Sequence, residues 1–188
     1  MFAADFGYRA DVDAGHRLLN PALGGGALLD VGVYPVSFAS MLWGAPQRVT
    51  GAAHLGATGV DERAAAVLDY GDRLAVLYTA VDVDTPVEAD LMGTEGRIRL
   101  HRRFHHAERL TLTRPGRPDE VIERPVEGNG LHYQAAEVMR CLREGRTESA
   151  LMPLDESVAV MRTMDALRAQ WGLVYPGESA KDEVRRAK

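Results

Sequence analysis

The sequence predicts an α+β fold, a large and mostly antiparallel open sheet with helices packed on one face. Three observations carry this. β-rich runs follow one another through the middle of the chain with only turn signals between them, whereas a parallel sheet would need a crossover helix between each pair. Two segments with apolar residues at helical spacing close the chain. A further helical segment lies near its start, before the run of strands begins.

Taken in order, residues 2–9 alternate loosely and read as a strand, and 11–21 are turn-rich. Residues 26–42 turn helical, with Leu28, Val31, Phe38, Met41 and Leu42 available for a buried face. Pro35 lies inside that segment, so a distortion or restart is expected near Gly32 to Pro35. Gly44-Ala45-Pro46 ends it. Strands are expected at 48–57, 63–70, 74–83 and 87–92, with Tyr70-Gly71-Asp72-Arg73 as the strongest hairpin signal. Gly93-Thr94-Glu95-Gly96 turns into a strand at 97–100. Residues 110–114 and 120–124 add two short strands around Pro115-Gly116-Arg117-Pro118. Helices are expected at 131–144, with Ala135, Val138, Met139 and Leu142 on one stripe, and at Leu154–Trp171, with Val158, Met161, Met164, Leu167 and Trp171. Residues 178–188 form a charged tail expected to fray. In the strand at 74–83 both alternating sets are fairly apolar, so the face not covered by helices would suit a second sheet, and a homodimer is expected.

With 188 residues, the chain has room for one domain plus a tail, and 46% hydrophobic residues suffice for a core. A net charge of −5 argues against a nucleic-acid binder. Cys141 stands alone, so no disulfide framework exists and a cytoplasmic setting is expected. No signal peptide is recognisable, and no uninterrupted apolar run reaches the roughly 20 residues of a membrane span. Of the 22 basic residues only Lys181 and Lys188 are lysines, both in the tail, so the folded part holds no lysine for catalysis.

The stretch richest in chemistry is Gly24-Gly25-Gly26-Ala27-Leu28-Leu29-Asp30-Val31-Gly32-Val33-Tyr34-Pro35. On a helix, a spacing of four places Asp30 and Tyr34 on one face. A phenol can give a proton to a carbonyl oxygen or take one from an alcohol, with a carboxylate to orient it. The plainer readings are an acid at a helix start for Asp30 and a core aromatic for Tyr34. The glycines suit a tight turn with close backbone approach better than a phosphate cradle. His101, His105 and His106 lack the companions of a metal site, since neighbours on a strand face opposite ways; no metal is expected. Arg97, Arg99, Arg102, Arg103 and Arg109 read as a solvated strand face and loop, with contact to an anionic substrate or cofactor phosphate as the minority option. His132 and Tyr133, after the Gly128-Asn129-Gly130 turn, are candidate substrate-binding residues, or equally residues that cap and pack a helix start.

The 24–35 block resembles the signature of the glucose–fructose oxidoreductase, inositol dehydrogenase and rhizopine-catabolism (Gfo/Idh/MocA) oxidoreductases. Tyr at position 34 is similar to the dihydrodiol dehydrogenase and glucose–fructose oxidoreductase branch. Gly93-Thr94-Glu95-Gly96-Arg97-Ile98, Gly145 with Glu148-Ser149, and Pro153-Leu154-Asp155-Glu156-Ser157 match in family order, over roughly residues 5–177.

The resemblance implies a two-part enzyme in which a Rossmann domain holds NAD or NADP. A second domain, of the kind found at the C-terminus of glyceraldehyde-3-phosphate dehydrogenase, shapes the substrate pocket and forms the dimer. Only the second part is matched here, at 1–177. Neither a Gly-x-Gly-x-x-Gly after the first strand nor the family's Glu-Lys-Pro lysine is present. The resemblance thus implies a C-terminal portion of a dehydrogenase acting on a sugar, polyol or dihydrodiol-like alcohol, with Tyr34 as acid/base, Asp30 beside it, and no cofactor bound by this portion. A phenol ordinarily ionises only near pH 10, at about that value, and the lysine usually lends the positive charge that helps it. The chain alone is therefore expected to be inactive. The rival reading is a non-catalytic module of the same fold that oligomerises or binds a ligand.

Overall fold

The first strand, β1 (Phe2–Gly7), alternates between a face that buries Phe2 and Ala4 and one that carries Ala3 and Asp5. It lies at the centre of an eight-stranded sheet, ordered β2-β3-β4-β1-β5-β6-β7-β8, in a computed structural model that describes residues 1–178. The other strands are β2 (Arg48–Leu55), β3 (Asp61–Asp69), β4 (Leu74–Ala80), β5 (Ala89–Gly93), β6 (Gly96–Leu100), β7 (Arg109–Thr113) and β8 (Glu120–Glu123). Every pairing is antiparallel except β1 with β4. That parallel pair is the part of the topology a reading of consecutive hairpins does not anticipate, because the first and fourth strands are joined only through a long connection. Tyr70 to Arg73 does close the β3–β4 hairpin, with the Tyr70 amide donating to the Arg73 carbonyl at 2.9 Å.

The early helical segment breaks where proline requires it. A π-helical turn spans Leu28–Gly32, and α1 restarts at Val33–Trp43. The restart puts Pro35 in the first turn of α1, where a missing amide hydrogen costs no intrahelical bond. Val36 and Ala39 are buried, whereas Met41, expected on the core face, is exposed. By length and composition, Pro21–Trp43 is apolar enough to cross a membrane, although the sequence reading found no such run. Here it is interrupted by Gly24 in a left-handed conformation and packs its inner residues on the sheet, as a core helix does.

α3 (Leu154–Trp171) lies beside α1 on the same face, and Ser40 Oγ donates to Glu156 Oε1 at 2.5 Å across the pair. Its buried stripe is Val160, Met164 and Leu167, extended by the partly buried Trp171, in one core with Ala66, Leu68, Ala75 and Leu77. Val158 and Met161, expected on that stripe, are exposed. Steps of three lag behind the 3.6-residue period, so Val158 is about 120° around the helix from Met164. α2 (Leu131–Arg143) differs more. Cys141 is its one buried residue, while Ala135, Val138, Met139 and Leu142 face solvent.

Of the tail expected at 178–188, only Glu178 is described, and it pairs with Arg168 at 3.0 Å; the rest lies outside the described residues. Leu167→Ala should lower the unfolding free energy by about 2–5 kcal/mol, measured by urea denaturation. A loss below about 0.5 kcal/mol would show that α3 does not seal the core.

Candidate active site

The glycine run opens the site by letting backbone pass where a side chain could not. A Cβ at Gly26, whose φ is +117°, would come 2.2 Å from Asp61 Oδ1. Asp61, at the start of β3, is fully buried and accepts the Leu28 amide on Oδ2 at 2.7 Å, tying down the first residue of the π turn. Oδ1 has no hydrogen-bond partner among the described residues. Burial pushes the Asp61 carboxyl up to about 6, against its ordinary 3.8, despite the opposing Leu28 hydrogen bond. From the other side, Tyr175 Oη donates to the Gly25 carbonyl at 2.5 Å. The loop's own amides are spent internally: Gly24 on Pro21, Gly25 on Asn20 and Gly26 on Leu18. They cannot cradle a dinucleotide phosphate, so the loop does not fit that group.

The π turn and α1 then present the two residues picked from the sequence. No hydrogen bond joins Asp30 to Tyr34 among the described residues. Instead Asp30 accepts from Tyr8 Oη on Oδ2 at 2.9 Å and from Arg17 Nη1 on Oδ1 at 2.6 Å. Burial, then the hydrogen bond to Asp30, pushes the Tyr8 phenol up to about 12, so Tyr8 stays a donor at neutral pH. Tyr8 sits just past the end of β1, and Arg17 lies in the turn-rich segment. Neither position carries a signal in the sequence, because both meet Asp30 only through the fold.

Tyr34 is 44% exposed, and its ring packs 5.2 Å from both Phe6 and His105. His105 in turn stacks on Phe6 at 4.5 Å, with the planes 11° apart. The strand expectation for the histidine pair is corrected here. Phe104–His106 is a 3₁₀ turn, whose neighbours are about 120° apart rather than opposed, and Phe104 is buried as its anchor. His105 and His106 therefore open on the same cavity. Burial, then His106 and Arg103, hold the His105 imidazole below its ordinary value, so it is neutral at pH 7.

Tyr34 borders two concavities. One, of about 560 Å³, is mainly apolar and includes Ser37, Met41, Phe104, Met152 and Glu156. The other, of about 750 Å³, includes Arg103, His105, His106, Asn129 and Tyr133. Tyr133 thus reaches a cavity shared with Tyr34, with its hydroxyl accepting the Glu127 amide at 3.3 Å. His132 is not part of that lining and faces Glu127 at 3.9 Å. Among the described residues no group of three His, Cys, Asp or Glu side chains could hold a metal ion.

The α+β fold matches what comparison with known proteins shows. The chain belongs to the GFO/IDH/MocA family: the family's C-terminal domain profile matches residues 1–99. It is 34% identical to trans-1,2-dihydrobenzene-1,2-diol dehydrogenase of Xenopus tropicalis, over 85% of this chain and 51% of that protein. It is 29% identical to D-xylose 1-dehydrogenase (NADP(+)) of Hypocrea jecorina, over 86% and 47% respectively. With scyllo-inositol 2-dehydrogenase (NADP(+)) of Bacillus subtilis the identity is 30%, over 85% and 48%. The chain therefore spans about half the length of the curated relatives it matches. The aldose-aldose oxidoreductase of Caulobacter crescentus, solved with glycerol, shares the fold at a TM-score of 0.74 and 21% identity, over 88% of this chain and 51% of that one.

Asp61 generates a pH signature. Its folded-state value lies above its unfolded one, so the native state binds the extra proton and stability falls as pH rises from about 4 to about 6. Asp61→Asn removes that slope. The stability of the variant relative to the parent chain should rise by up to about 3 kcal/mol between pH 4 and pH 7, followed by urea denaturation at each pH. A difference independent of pH would mean that folding leaves the proton affinity of the Asp61 carboxyl unchanged.

Proposed function

We propose that this chain is the substrate-binding half of an NADP-dependent oxidoreductase that interconverts an alcohol and a carbonyl on a sugar, polyol or dihydrodiol-like substrate. The observation that carries the reading is Tyr34, a half-exposed phenol on a helix restart, bordering two clefts with its hydroxyl uncommitted among the described residues. The relatives act on such substrates according to their names, and two of them carry NADP(+) in theirs. The nicotinamide, held by a nucleotide domain outside this chain, would supply or accept the hydride. Tyr34 protonates the carbonyl oxygen in the reducing direction and takes the hydroxyl proton in the oxidising one. Asp30 has two of its roughly four lone-pair sites occupied by Tyr8 and Arg17. The remainder can accept a substrate hydroxyl, and its two donors hold the carboxylate still.

Two bare surfaces support the rest of the proposed assembly. The uncovered sheet face presents Val67, Leu74, Val76 and Tyr78, beside Asp90 clamped by Arg97 at 2.6 and 2.7 Å. We assign this face to a homodimer. The exposed apolar residues of α2, together with Leu151 and Leu154, fit burial against the nucleotide domain.

In the protein carrying both halves, Tyr34→Phe should lower kcat/KM by about 10²–10⁴-fold while leaving NADP affinity unchanged. Unchanged turnover removes Tyr34 from the mechanism, whereas a protein with both halves that shows no turnover at all favours the non-catalytic module. Val76→Arg should convert the dimer to monomer in sedimentation equilibrium; a dimer that persists moves the interface elsewhere.

A further inference from the structure

The larger cavity beside Tyr34 has a chemistry of its own. It gathers Arg103, His105 and His106 in a chain whose net charge is −5. Arg103 and Val87 are the two non-glycine residues at positive φ among the described residues, at 65° and 59°. They meet, since the Arg103 amide donates to the Val87 carbonyl at 2.8 Å. Such conformations cost of order 1–3 kcal/mol each and persist where the surroundings enforce them. Here they launch the 3₁₀ turn, closed by the His106 amide on the Arg103 carbonyl at 2.7 Å, and bring Arg103, His105 and His106 to one concavity.

The Arg103 guanidinium has no counter-charge among the described residues. Neither the Arg103 guanidinium nor the two imidazoles make an ion pair among the described residues, and His105 feels both neighbours as repulsion. The acids on the flanking segments are committed elsewhere: Glu108 Oε1 accepts the Val126 amide at 3.2 Å, and Glu127 faces His132. Arg17, Arg48, Arg63, Arg97 and Arg114 each rest on a carboxylate, and Arg103 differs from other arginines without an ion pair, such as Arg102 and Arg109, in bordering this cavity. An exposed guanidinium bordering a cavity, with no acceptor, is suited to a bidentate carboxylate or phosphate. The space, about 750 Å³, is within the range that holds a hexose-sized ligand. His105 touches the Tyr34 ring, so an anion on this cluster lies about one side chain from the reacting hydroxyl.

We propose that the cavity between Arg103, His106 and Tyr133 is an anion-recognition site, and that the substrate brought to Tyr34 carries an acidic group, a carboxylate or a phosphate, which this site holds. The assignment of that anion to the substrate rests on the oxidoreductase reading; the existence of the site does not.

The test uses the 188-residue chain with D-gluconate, D-glucose 6-phosphate, inorganic phosphate and neutral D-glucose as probes. Calorimetry measures affinity, and histidine-selective NMR follows the imidazole titrations. At least one of the two acidic sugars should bind at least 10-fold tighter than glucose, and should raise the titration midpoints of His105 and His106. Arg103→Asn keeps a residue that tolerates the left-handed conformation and should weaken that binding about 10- to 100-fold. His106→Gln serves as a second variant, with a smaller loss. Equal affinity for glucose and both acidic sugars, or binding that survives Arg103→Asn with unmoved histidines, overturns the site. Inorganic phosphate binding as tightly as either sugar acid overturns its assignment to substrate. If the acidic sugars bind as expected but the protein with both halves turns over neither these sugars nor neutral ones with NADP, the oxidoreductase reading fails and the anion site stands.

Discussion

One buried hydrogen bond governs the geometry of the candidate site. Asp61 reaches from the first residue of β3 to the Leu28 amide, and the glycine loop passes so close over it that Gly26 has no room for a side chain. This couples the sheet to the start of the helical segment carrying Asp30 and Tyr34. A buried carboxylate with one oxygen unpartnered is expensive, and the fold offsets part of that expense by raising its proton affinity. The Tyr175 hydroxyl on Gly25 closes the loop from the other side, so two residues far apart in the chain hold Gly25 and Gly26 in place.

From that anchor the helix takes its course. The π turn absorbs the mismatch between the loop and α1, and a bulge of this kind is frequent where a helix carries function. Asp30 is turned toward Tyr8 and Arg17, and Tyr34 toward Phe6 and His105. The two residues thus sit differently, with one held in an ion-paired corner and the other left at an open mouth. The aromatic stack of Phe6 and His105 positions the phenol without using its hydroxyl.

Much of the secondary structure was legible because period and turn chemistry are local. The β3–β4 hairpin, the break before Pro35 and the bounds of α3 follow from residues within a few positions of one another. The misreadings share a cause. Met41, Val158 and Met161 are apolar but lie off the contact line, and the stripe of α2 is apolar with nothing against it, because local pattern shows which residues can be buried and not what arrives to bury them. The histidine pair was read as strand and is a 3₁₀ turn, since the left-handed residues that bend the chain there are Val87 and Arg103, neither a type that announces such a bend. The glycine–Asp–Tyr block pointed to the right family. It could not show that Asp30 would be answered by Tyr8 and Arg17.

By itself, the sequence determined the order and kind of most elements, the helix restart at proline and the family, since each depends on residue types at short spacing. The tertiary structure alone decided that β1 enters the sheet parallel to β4 and that Asp61 underlies the glycine loop. It alone brought Arg103, His105 and His106 around a cavity beside Tyr34. Those facts join residues tens of positions apart, and nothing in local composition encodes which distant groups the packing of a sheet against its helices will bring into contact.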